Sequence, residues 1–367
     1  NINYTFDKTG NILQLVNTGS HRNVEQNYEY DDLYQLIRAE GVSREDFFGI
    51  TKENSYRQNY SFDKIGNMVS KVSYNRLTPD GIFPGQLNYR LDYEYQEGYP
   101  HRIKNIGDTY FLYDANGNLT EQRTGAPESN SQSYSTFPND IPGDGLGGIT
   151  VQIGRDNFPF ADETPPEKLA ARYLWDEENR MISSYMQGRT VQYLYNTEGK
   201  RTVKYSDTGE TLYADATYQI EADKDFITKH IFVGNTRIAS KLCYVGGSIG
   251  FESDNTYTYH GDHLGSSNFI SDNRGDIFEH TENTPYGEVW EQTGQDYLDQ
   301  LEFAFTGKIR DKETGLIDFG ARYYNPKYGI WLSADPALED FLPVAPVNEE
   351  ARKHNRNLPG MGGVFNP

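Results

Sequence analysis

The feature that most constrains this chain is a short unit in which an aromatic residue and Asp are followed three residues later by Gly-Asn and then an aliphatic residue. Clear copies occupy residues 6–12, 62–68 and 113–119, and weaker copies begin at Trp175 and Tyr195. Asp favours turns because its carboxylate accepts hydrogen bonds from the backbone ahead of it. Gly-Asn supplies the positive-φ residues that a tight hairpin demands. Each unit therefore predicts a β-hairpin turn, with the aromatic ring ending one strand on a packed face and the aliphatic opening the next strand.

The segments between the units alternate in the way that half-buried strands do. Bulky apolar or aromatic side chains fall on every second position at 28–30, 89–95 and 191–195. The units are unevenly spaced, whereas a solenoid of identical rungs would keep a fixed period. The sequence therefore predicts an all-β fold, a long antiparallel strip of hairpins that winds with rungs of variable length. Residues 291–303 and 337–355 are the best helix candidates because they are rich in Glu, Leu and Ala and poor in Gly.

Composition agrees with a large β fold and excludes several classes of function. The 367 residues include 29 Tyr, 19 Phe and 35 Gly but only 4 Met. Tyr is favoured in β-sheets, where its ring packs on the sheet surface and its hydroxyl reaches solvent. A net charge of −20 argues against a nucleic-acid partner, which requires basic surface to neutralise phosphates. No apolar run is long enough to span a membrane.

The chain divides by pattern into hairpins over 1–205, interrupted by a loop-rich insertion at 125–168, and further hairpins over 206–300. The insertion is rich in Gly, Ser, Asn and Pro and contains one strand-like run, 149–153. The first residue is Asn1, and no signal-peptide pattern follows it, so we expect a piece of a longer polypeptide. A single cysteine, Cys243, forbids an intrachain disulfide and is interpreted as an inert buried strand thiol, because no basic group is evidently placed to lower its pKa.

Two glycine-rich motifs have the spacing of known sites but lack the required context. Residues 143–148 match a dinucleotide-type spacing, yet a proline precedes them and a strand-like run follows, where a phosphate site needs a helix. Residues 246–250 match a nucleophile elbow around Ser248, but 251–255 indicate a turn and not the helix that the elbow needs. A Gly-rich hairpin is the favoured interpretation there.

His260, Asp262 and His263 are close enough in sequence to suggest a zinc site. No helix or cysteine is predicted nearby, so a hydrogen-bonded turn is the favoured interpretation. Together with the glycine motifs, this leaves no cofactor and no metal expected. An ordinary enzyme using Ser248 or the two histidines is the least favoured class of function.

Asp335-Pro336 closes a dense run of aromatic and glycine residues. The simpler interpretation is that Asp335 caps a turn and Pro336 ends a strand. The sharper interpretation is a carboxylate that takes part in peptide-bond cleavage. On sequence alone the simpler one is favoured, because such turns are common.

These residues together resemble the Rhs family of YD-repeat proteins. The aromatic-Asp unit resembles the family's YD repeat, and residues 259–266, Tyr-His-Gly-Asp-His-Leu-Gly-Ser, resemble its YHxDHLGS segment. Residues 301–336 resemble the Rhs-associated core. The matching positions downstream of 266 are 272–275, 284–287, 305–308, Asp311, 313–316, 319–326, Gly329 and Asp335-Pro336.

The resemblance implies a β strip that spirals into a hollow shell, as in bacterial Rhs proteins, the C components of insecticidal toxin complexes, and teneurins. It implies a non-catalytic shell fragment of a secreted bacterial polymorphic toxin. Its partners would be a C-terminal toxin cargo in cis and other shell or delivery-system subunits. In many members the core plugs the shell, and an aspartyl activity there releases the toxin by self-cleavage. By position, Asp335 matches the first core Asp-Pro and Arg322 matches the core Arg.

The sequence departs from that pattern after Pro336. Family members continue to a second Asp-Pro near which cleavage falls, whereas these residues reach Pro367 without one, and Ala337-Leu338 replaces the common Gly-Leu. We therefore expect 337–367 to be a tail leading toward a cargo region, with the partner carboxylate missing or different. The alternative function is a carbohydrate-binding or adhesion module on the cell surface, since Tyr-rich hairpins can stack on sugar rings and an acidic surface suits basic partners.

Overall fold

The computed structural model describes most of the chain, and all structural statements below refer to the described residues. These are residues 2–18, 22–47, 50–78, 87–126, 168–222, 225–244, 246–247, 249–294, 303, 305–337, 349 and 353.

Twenty-two strands form a single antiparallel sheet in which each strand pairs with the next along the chain. The prediction of an all-β hairpin strip is confirmed. The first eleven strands are β1 Ile2–Phe6, β2 Ile12–Thr18, β3 Arg22–Tyr30, β4 Leu36–Phe47, β5 Ile50–Phe62, β6 Met68–Thr78, β7 Tyr89–Gln96, β8 Tyr99–Ile106, β9 Thr109–Tyr113, β10 Leu119–Thr124 and β11 Leu169–Trp175. The rest are β12 Met181–Met186, β13 Arg189–Tyr195, β14 Arg201–Ser206, β15 Gly209–Asp215, β16 Tyr218–Glu221, β17 Phe226–Val233, β18 Thr236–Tyr244, β19 Thr256–Gly261, β20 Ser267–Ser271, β21 Ile277–Asn283 and β22 Val289–Gly294.

One turn geometry recurs nine times and explains why the repeated unit is visible in the sequence. At Asp7, Oδ1 accepts the amide of Asn11 at 2.9 Å, and Asn11 Nδ2 donates to Oδ2 at 2.8 Å. Gly10 has φ +96°. Eight further turns have this geometry. In each, the backbone amide of the fifth residue donates to the side-chain oxygen of the first, and the fourth residue has positive φ. These turns begin at Asp31, Asp63, Asp114, Asp176, Asn196, Asp262, Asp272 and Thr284.

The expectation that both Gly and Asn have positive φ is therefore half wrong. Only the glycine is left-handed in Gly10-Asn11, whereas the asparagine lies in the return strand and bonds back to the Asp carboxylate. The aromatic before the turn is also not always packed: Trp175 is buried, but Phe6 is 56% exposed. Phe6 lies on β1, which pairs with β2 alone among the described strands, so less of the sheet covers its ring.

Eight of the nine turns lie along one rim of the sheet, because they join odd-numbered strands to the next even-numbered strand. Neighbouring turns on this rim are joined by hydrogen bonds. Asn118 Nδ2 donates to Asn179 Oδ1 at 2.8 Å, and Arg180 Nη1 donates to the carbonyl of Asn196 at 3.4 Å. The repeated unit therefore builds both the hairpins and the contacts between them.

The strip curls so that its last strands pack against its first ones. Side chains on the buried face of β3 and β5 meet β21 and β22: the Tyr56 and Trp290 ring centroids are 4.9 Å apart, and Asn54 Nδ2 donates to the Trp290 carbonyl at 2.8 Å. Asn54 Nδ2 also bonds Glu291 Oε2 at 2.6 Å. Much of this interior is polar, since Arg22, His280 and Glu282 are all at most 7% exposed.

A second, smaller sheet lies downstream. Its four strands are β23 Ile309–Arg310, β24 Ile317–Asp318, β25 Tyr323–Asn325 and β26 Ile330–Trp331, preceded by a 3-10 turn at Phe305–Gly307. They pair in order and antiparallel. No helix of the described residues is long and apolar enough to cross a membrane.

Two sequence expectations on secondary structure need correction, and two others concern residues that the structure largely does not describe. Residues 291–294 belong to β22, and Phe303 forms a β-bridge with Ile309, so the helix predicted over 291–303 is wrong where it is described. The predicted turn at 251–255 is instead mostly a short helix, α1, Ile249–Asp254. Most of 337–355 and nearly all of the insertion at 125–168, with its strand-like run and its glycine motif, lie outside the described residues.

Candidate functional site at the docked core segment

The core segment, defined here as residues 305–335, packs against the buried face of the strip. Leu316, Tyr323 and Leu332 share one hydrophobic cluster with side chains of β7–β13. The backbone joins as well, since the amide of Leu119 donates to the carbonyl of Leu332 at 2.8 Å. Leu316 and Leu332 have no exposed surface. The core segment therefore packs on the buried face of the large sheet and is not a free tail.

Buried ion pairs fix the same segment to β14. Arg201 Nη1 lies 2.9 Å from Asp311 Oδ2, with side-chain exposures of 4% and 0%. Lys204 Nζ lies 3.3 Å from Glu313 Oε2, which is also buried. Ser206 and Thr208 donate to Glu313 Oε1 at 3.0 Å each. Burial alone would lower the pKa of Arg201, but Asp311 and the neighbouring tyrosines outweigh it and raise that pKa above its ordinary value.

Sequence reasoning gave no role to these charged residues, although one signal was present. In the fifth copy of the repeated unit, Arg201 occupies the position where other copies have an aliphatic residue. That position faces the packed side of the sheet, so a charge there requires a buried partner. The partner, Asp311, is distant in the sequence, and only the fold brings it near.

The two residues singled out for self-cleavage, Arg322 and Asp335, lie together. Arg322 Nη2 is 2.7 Å from Asp335 Oδ2, and the two side chains are 20% and 43% exposed. The guanidinium of Arg322 lies 4.1 Å from the centroid of the Trp331 ring. Trp331 in turn packs on Phe319 and Tyr324, with ring centroids 4.9 Å and 5.0 Å away. An aromatic support thus holds the arginine against the carboxylate.

The other oxygen of Asp335 caps a turn. Its Oδ1 accepts the amide of Ala337 at 3.0 Å, which is the simpler role that the sequence favoured. The cap and the arginine contact are compatible because they use different oxygens. An aspartyl mechanism needs two carboxylates that share a proton, and these two contacts of Asp335 involve no second carboxylate.

The histidine pair does not converge on a common point. His260 lies in β19 and its Nε2 contacts Ser271 Oγ at 2.9 Å, whereas His263 contacts the Tyr4 hydroxyl through its backbone amide and Nδ1. Asp262 Oδ1 accepts the amides of Leu264 and Ser266, each at 2.9 Å. These residues form a hydrogen-bonded turn joined to the first strand, and no group of three or more potential metal ligands occurs among the described residues.

Cys243 and Ser248 complete the sequence candidates. Cys243 lies in β18 but is only half-buried, and Lys229 is beside it, contrary to expectation. Burial raises the pKa of its thiol, and the hydrogen bond with Lys229 does not reverse that shift. Ser248 lies outside the described residues, as does the dinucleotide-type motif at 143–148. The helix that an elbow would need is present as α1, so the reason for rejecting that motif was incorrect.

A long meander of hairpins, curled on itself and carrying a docked C-terminal segment, defines the class of YD-repeat shell proteins. The model of the Teneurin YD-shell family matches residues 1–355, and the chain belongs to that family. It is 25% identical to the toxin subunit YenC1 of Yersinia entomophaga, over 92% of this chain and 34% of that protein. It is 24% identical to teneurin-1 of Gallus gallus, over 89% of this chain and 12% of that protein. The chain therefore spans about a third or less of these relatives.

Solved structures show the same fold. The crystal structure of TcdB2-TccC3-Cdc42 aligns with a TM-score of 0.53 at 17% identity, over 92% of this chain and 16% of that one. The crystal structure of TcdB2-TccC3 aligns with a TM-score of 0.52 at 18% identity, with the same coverage of both chains. The fold expectation drawn from the Rhs resemblance is confirmed.

Proposed function

We propose that this chain is part of the shell wall of a secreted bacterial polymorphic toxin, and that the shell encloses a toxin cargo that follows it in the same polypeptide. The single observation that carries the proposal is the docking of the core segment on the buried face of the strip, where Leu316 and Leu332 have no exposed surface. A chain that continues beyond Pro336 starts from that docked position. The similarity to toxin subunit YenC1 supports the same role.

The proposal includes a division of labour along the chain. Residues 1–205 and 206–300 supply wall hairpins, 301–336 supply the core that plugs the shell, and 337–367 lead toward the cargo. Further partners are other shell or delivery-system subunits. Neither a nucleic-acid partner nor a membrane span belongs to the proposal.

Limited proteolysis of the full gene product that contains these residues tests encapsulation. The polypeptide downstream of Pro336 is expected to resist protease in the intact protein and to be digested once the wall is unfolded by denaturant. A downstream segment that is digested as quickly in the native protein as in denaturant would contradict a cargo role.

Self-cleavage near the core is the finer part of the proposal, with Asp335 as the carboxylate and Arg322 as its support. The contact at 2.7 Å holds the Asp335 side chain in one orientation. In the full gene product, Asp335→Asn is expected to abolish a cleaved product that the wild type accumulates, while Arg322→Lys reduces it. Wild-type protein that stays uncleaved would contradict the proposed self-cleavage but not the proposed encapsulation.

The alternative function is carbohydrate binding or adhesion at the cell surface. The similarity to teneurin-1 and the outward tyrosines favour it: Tyr74 is 57% exposed, and Tyr99 is 55% exposed with Arg102 stacked 4.3 Å from its ring centroid. Such rings can stack on sugars. A glycan array with no hits at high protein concentration would argue against this function.

A further inference from the structure

The turn of residues 284–288, Thr-Pro-Tyr-Gly-Glu, lies where three parts of the molecule meet. It joins β21 to β22, and it touches both the early strands of the strip and the core segment. Glu288 Oε2 accepts a hydrogen bond from Lys71 Nζ of β6 at 2.5 Å. The same ammonium donates to the carbonyls of Pro326 at 3.3 Å and Lys327 at 2.9 Å in the core segment.

Lys71 and Glu288 are buried at the centre of this junction, and each proton of the Lys71 ammonium has an acceptor. The Lys71 side chain has no exposed surface, and that of Glu288 is 9% exposed. An ammonium has three protons, and here one carboxylate and two core carbonyls accept them. Gln58 and Tyr89 also donate to Glu288 Oε2, at 3.1 Å and 2.5 Å. If the core segment left, Lys71 would lose two of its three acceptors.

A second set of contacts, centred on Tyr286, connects the same parts, and Lys71 Nζ lies 5.6 Å from the centroid of the Tyr286 ring. The rings of Tyr286 and Tyr60, which belongs to β5, have centroids 5.1 Å apart. The hydroxyl of Tyr324 in β25 donates to the Tyr286 carbonyl at 3.1 Å. Gly287 has φ +85°, and a Cβ there would lie 2.7 Å from the Phe305 ring. The turn is therefore fitted between the wall and the core segment with no space for a larger residue.

We propose that residues 284–288 act as a coupling element, through which docking of the core segment and closure of β21–β22 on β3–β6 stabilise each other. The contacts of Lys71 and Tyr286 are complete only when all three parts are in place. Coupling between two such equilibria is reciprocal, so loosening either one loosens the other. The proposal goes beyond the shell role and depends on neither cargo nor self-cleavage.

Hydrogen exchange measured by mass spectrometry on the 367-residue chain tests the coupling. Lys71→Met combined with Glu288→Gln removes both charges of the Lys71–Glu288 pair, so that neither is left without the other. Exchange is expected to accelerate by about tenfold or more in both Tyr323–Asn325 and Val289–Gly294, since amide exchange follows local opening. Lys104→Met, which breaks the exposed pair with Glu94, is the matched control and is expected to change neither peptide.

The reciprocal experiment perturbs only the core side. Tyr324→Phe deletes one hydroxyl and its bond to the Tyr286 carbonyl, and it is expected to speed exchange in Val289–Gly294 as well as in β25. Acceleration in the core peptides with unchanged exchange in β22 would overturn the proposal. Peptides of β15, Gly209–Asp215, report whether the sheet is still folded. If the Lys71→Met/Glu288→Gln variant loses protection in β15, its sheet is no longer folded, and the test of the coupling then rests on Tyr324→Phe.

Discussion

Arg201 and Asp311 form a two-bonded ion pair, with Nη1 at 3.1 Å and 2.9 Å from the two carboxylate oxygens, although 110 residues separate them in the sequence. Both residues are buried. The pair joins the wall strand β14 to the entry of the core segment. Together with the Lys204–Glu313 pair, it shows that charge as well as apolar packing positions the core segment.

Removing Arg201 alone should destabilise the protein strongly. Arg201→Met leaves the Asp311 carboxylate buried without its main partner, which typically costs about 3–5 kcal/mol. Replacing both residues, Arg201→Met with Asp311→Leu, should cost less than the single change. Urea unfolding measures both. The matched control is the neighbouring Lys200→Met, whose pair with Glu198 is exposed, and it should leave the midpoint close to wild type. A single variant as stable as this control would contradict the role given to Arg201.

The Glu313 contact predicts a specific dependence of stability on pH. Burial would raise the pKa of Glu313, but Lys204 and the hydrogen bonds of Ser206 and Thr208 outweigh burial and lower that pKa below its ordinary value of 4.5. A group whose pKa is lowered by folding adds stability above its unfolded pKa and loses it as the pH falls through the folded value. Glu313→Gln should therefore be less stable than wild type at pH 7, and the difference should shrink below pH 4.5. A difference that stays constant down to acid pH would refute this assignment.

The repeated turn makes its own prediction at Asp7. The Asn11 side chain, more than any other group, lowers the pKa of Asp7 from 3.8 to about 2. Asn11→Ala should raise that pKa toward 3.8, because the carboxylate loses its Nδ2 donor. NMR titration of the side-chain carboxyl measures it. Thr9→Ala removes a weaker donor and serves as control, with a smaller shift expected. An Asp7 pKa unchanged by Asn11→Ala would contradict the role given to the Asn11 side chain.

Gly41 tests the closure of the strip. A Cβ at this position in β4 would collide with the Tyr56 ring and come within 3.1 Å of the Trp290 ring. Gly41→Ala should therefore force apart the contact between β5 and β22 and destabilise the protein by about 1–3 kcal/mol. Thermal unfolding checks this, with Arg44→Ala on the exposed face of the same strand as control. Equal melting temperatures for the two variants would mean that β22 does not pack there.

The parts of the fold that were predictable are those whose contacts are local. Every bond that defines the Asp7 turn lies within five residues, so the sequence pattern carries the complete information for that hairpin. Alternating tyrosines identified the strands because one face of the sheet is packed. The same reasoning anticipated the fold class. It was the resemblance to the Rhs family that brought Asp335 and Arg322 forward, and their contact became visible only in the structure.

The parts that failed depend on partners far away in the chain. The helix prediction over 291–303 relied on composition, yet Glu291 contacts Arg22 and Asn54 of β3 and β5, and these contacts favour a strand. Lys71 offers no local signal at all for its role, since its acceptors come from the last hairpin and the core segment. Composition averages over such cases and cannot detect them.

Electron cryomicroscopy of the full gene product would show directly whether the strip encloses a cargo. We expect a closed β wall in which the core segment is docked as described and the polypeptide after Pro336 continues into enclosed density. An open strip, or a closed wall with the downstream polypeptide on its outer surface, would contradict it.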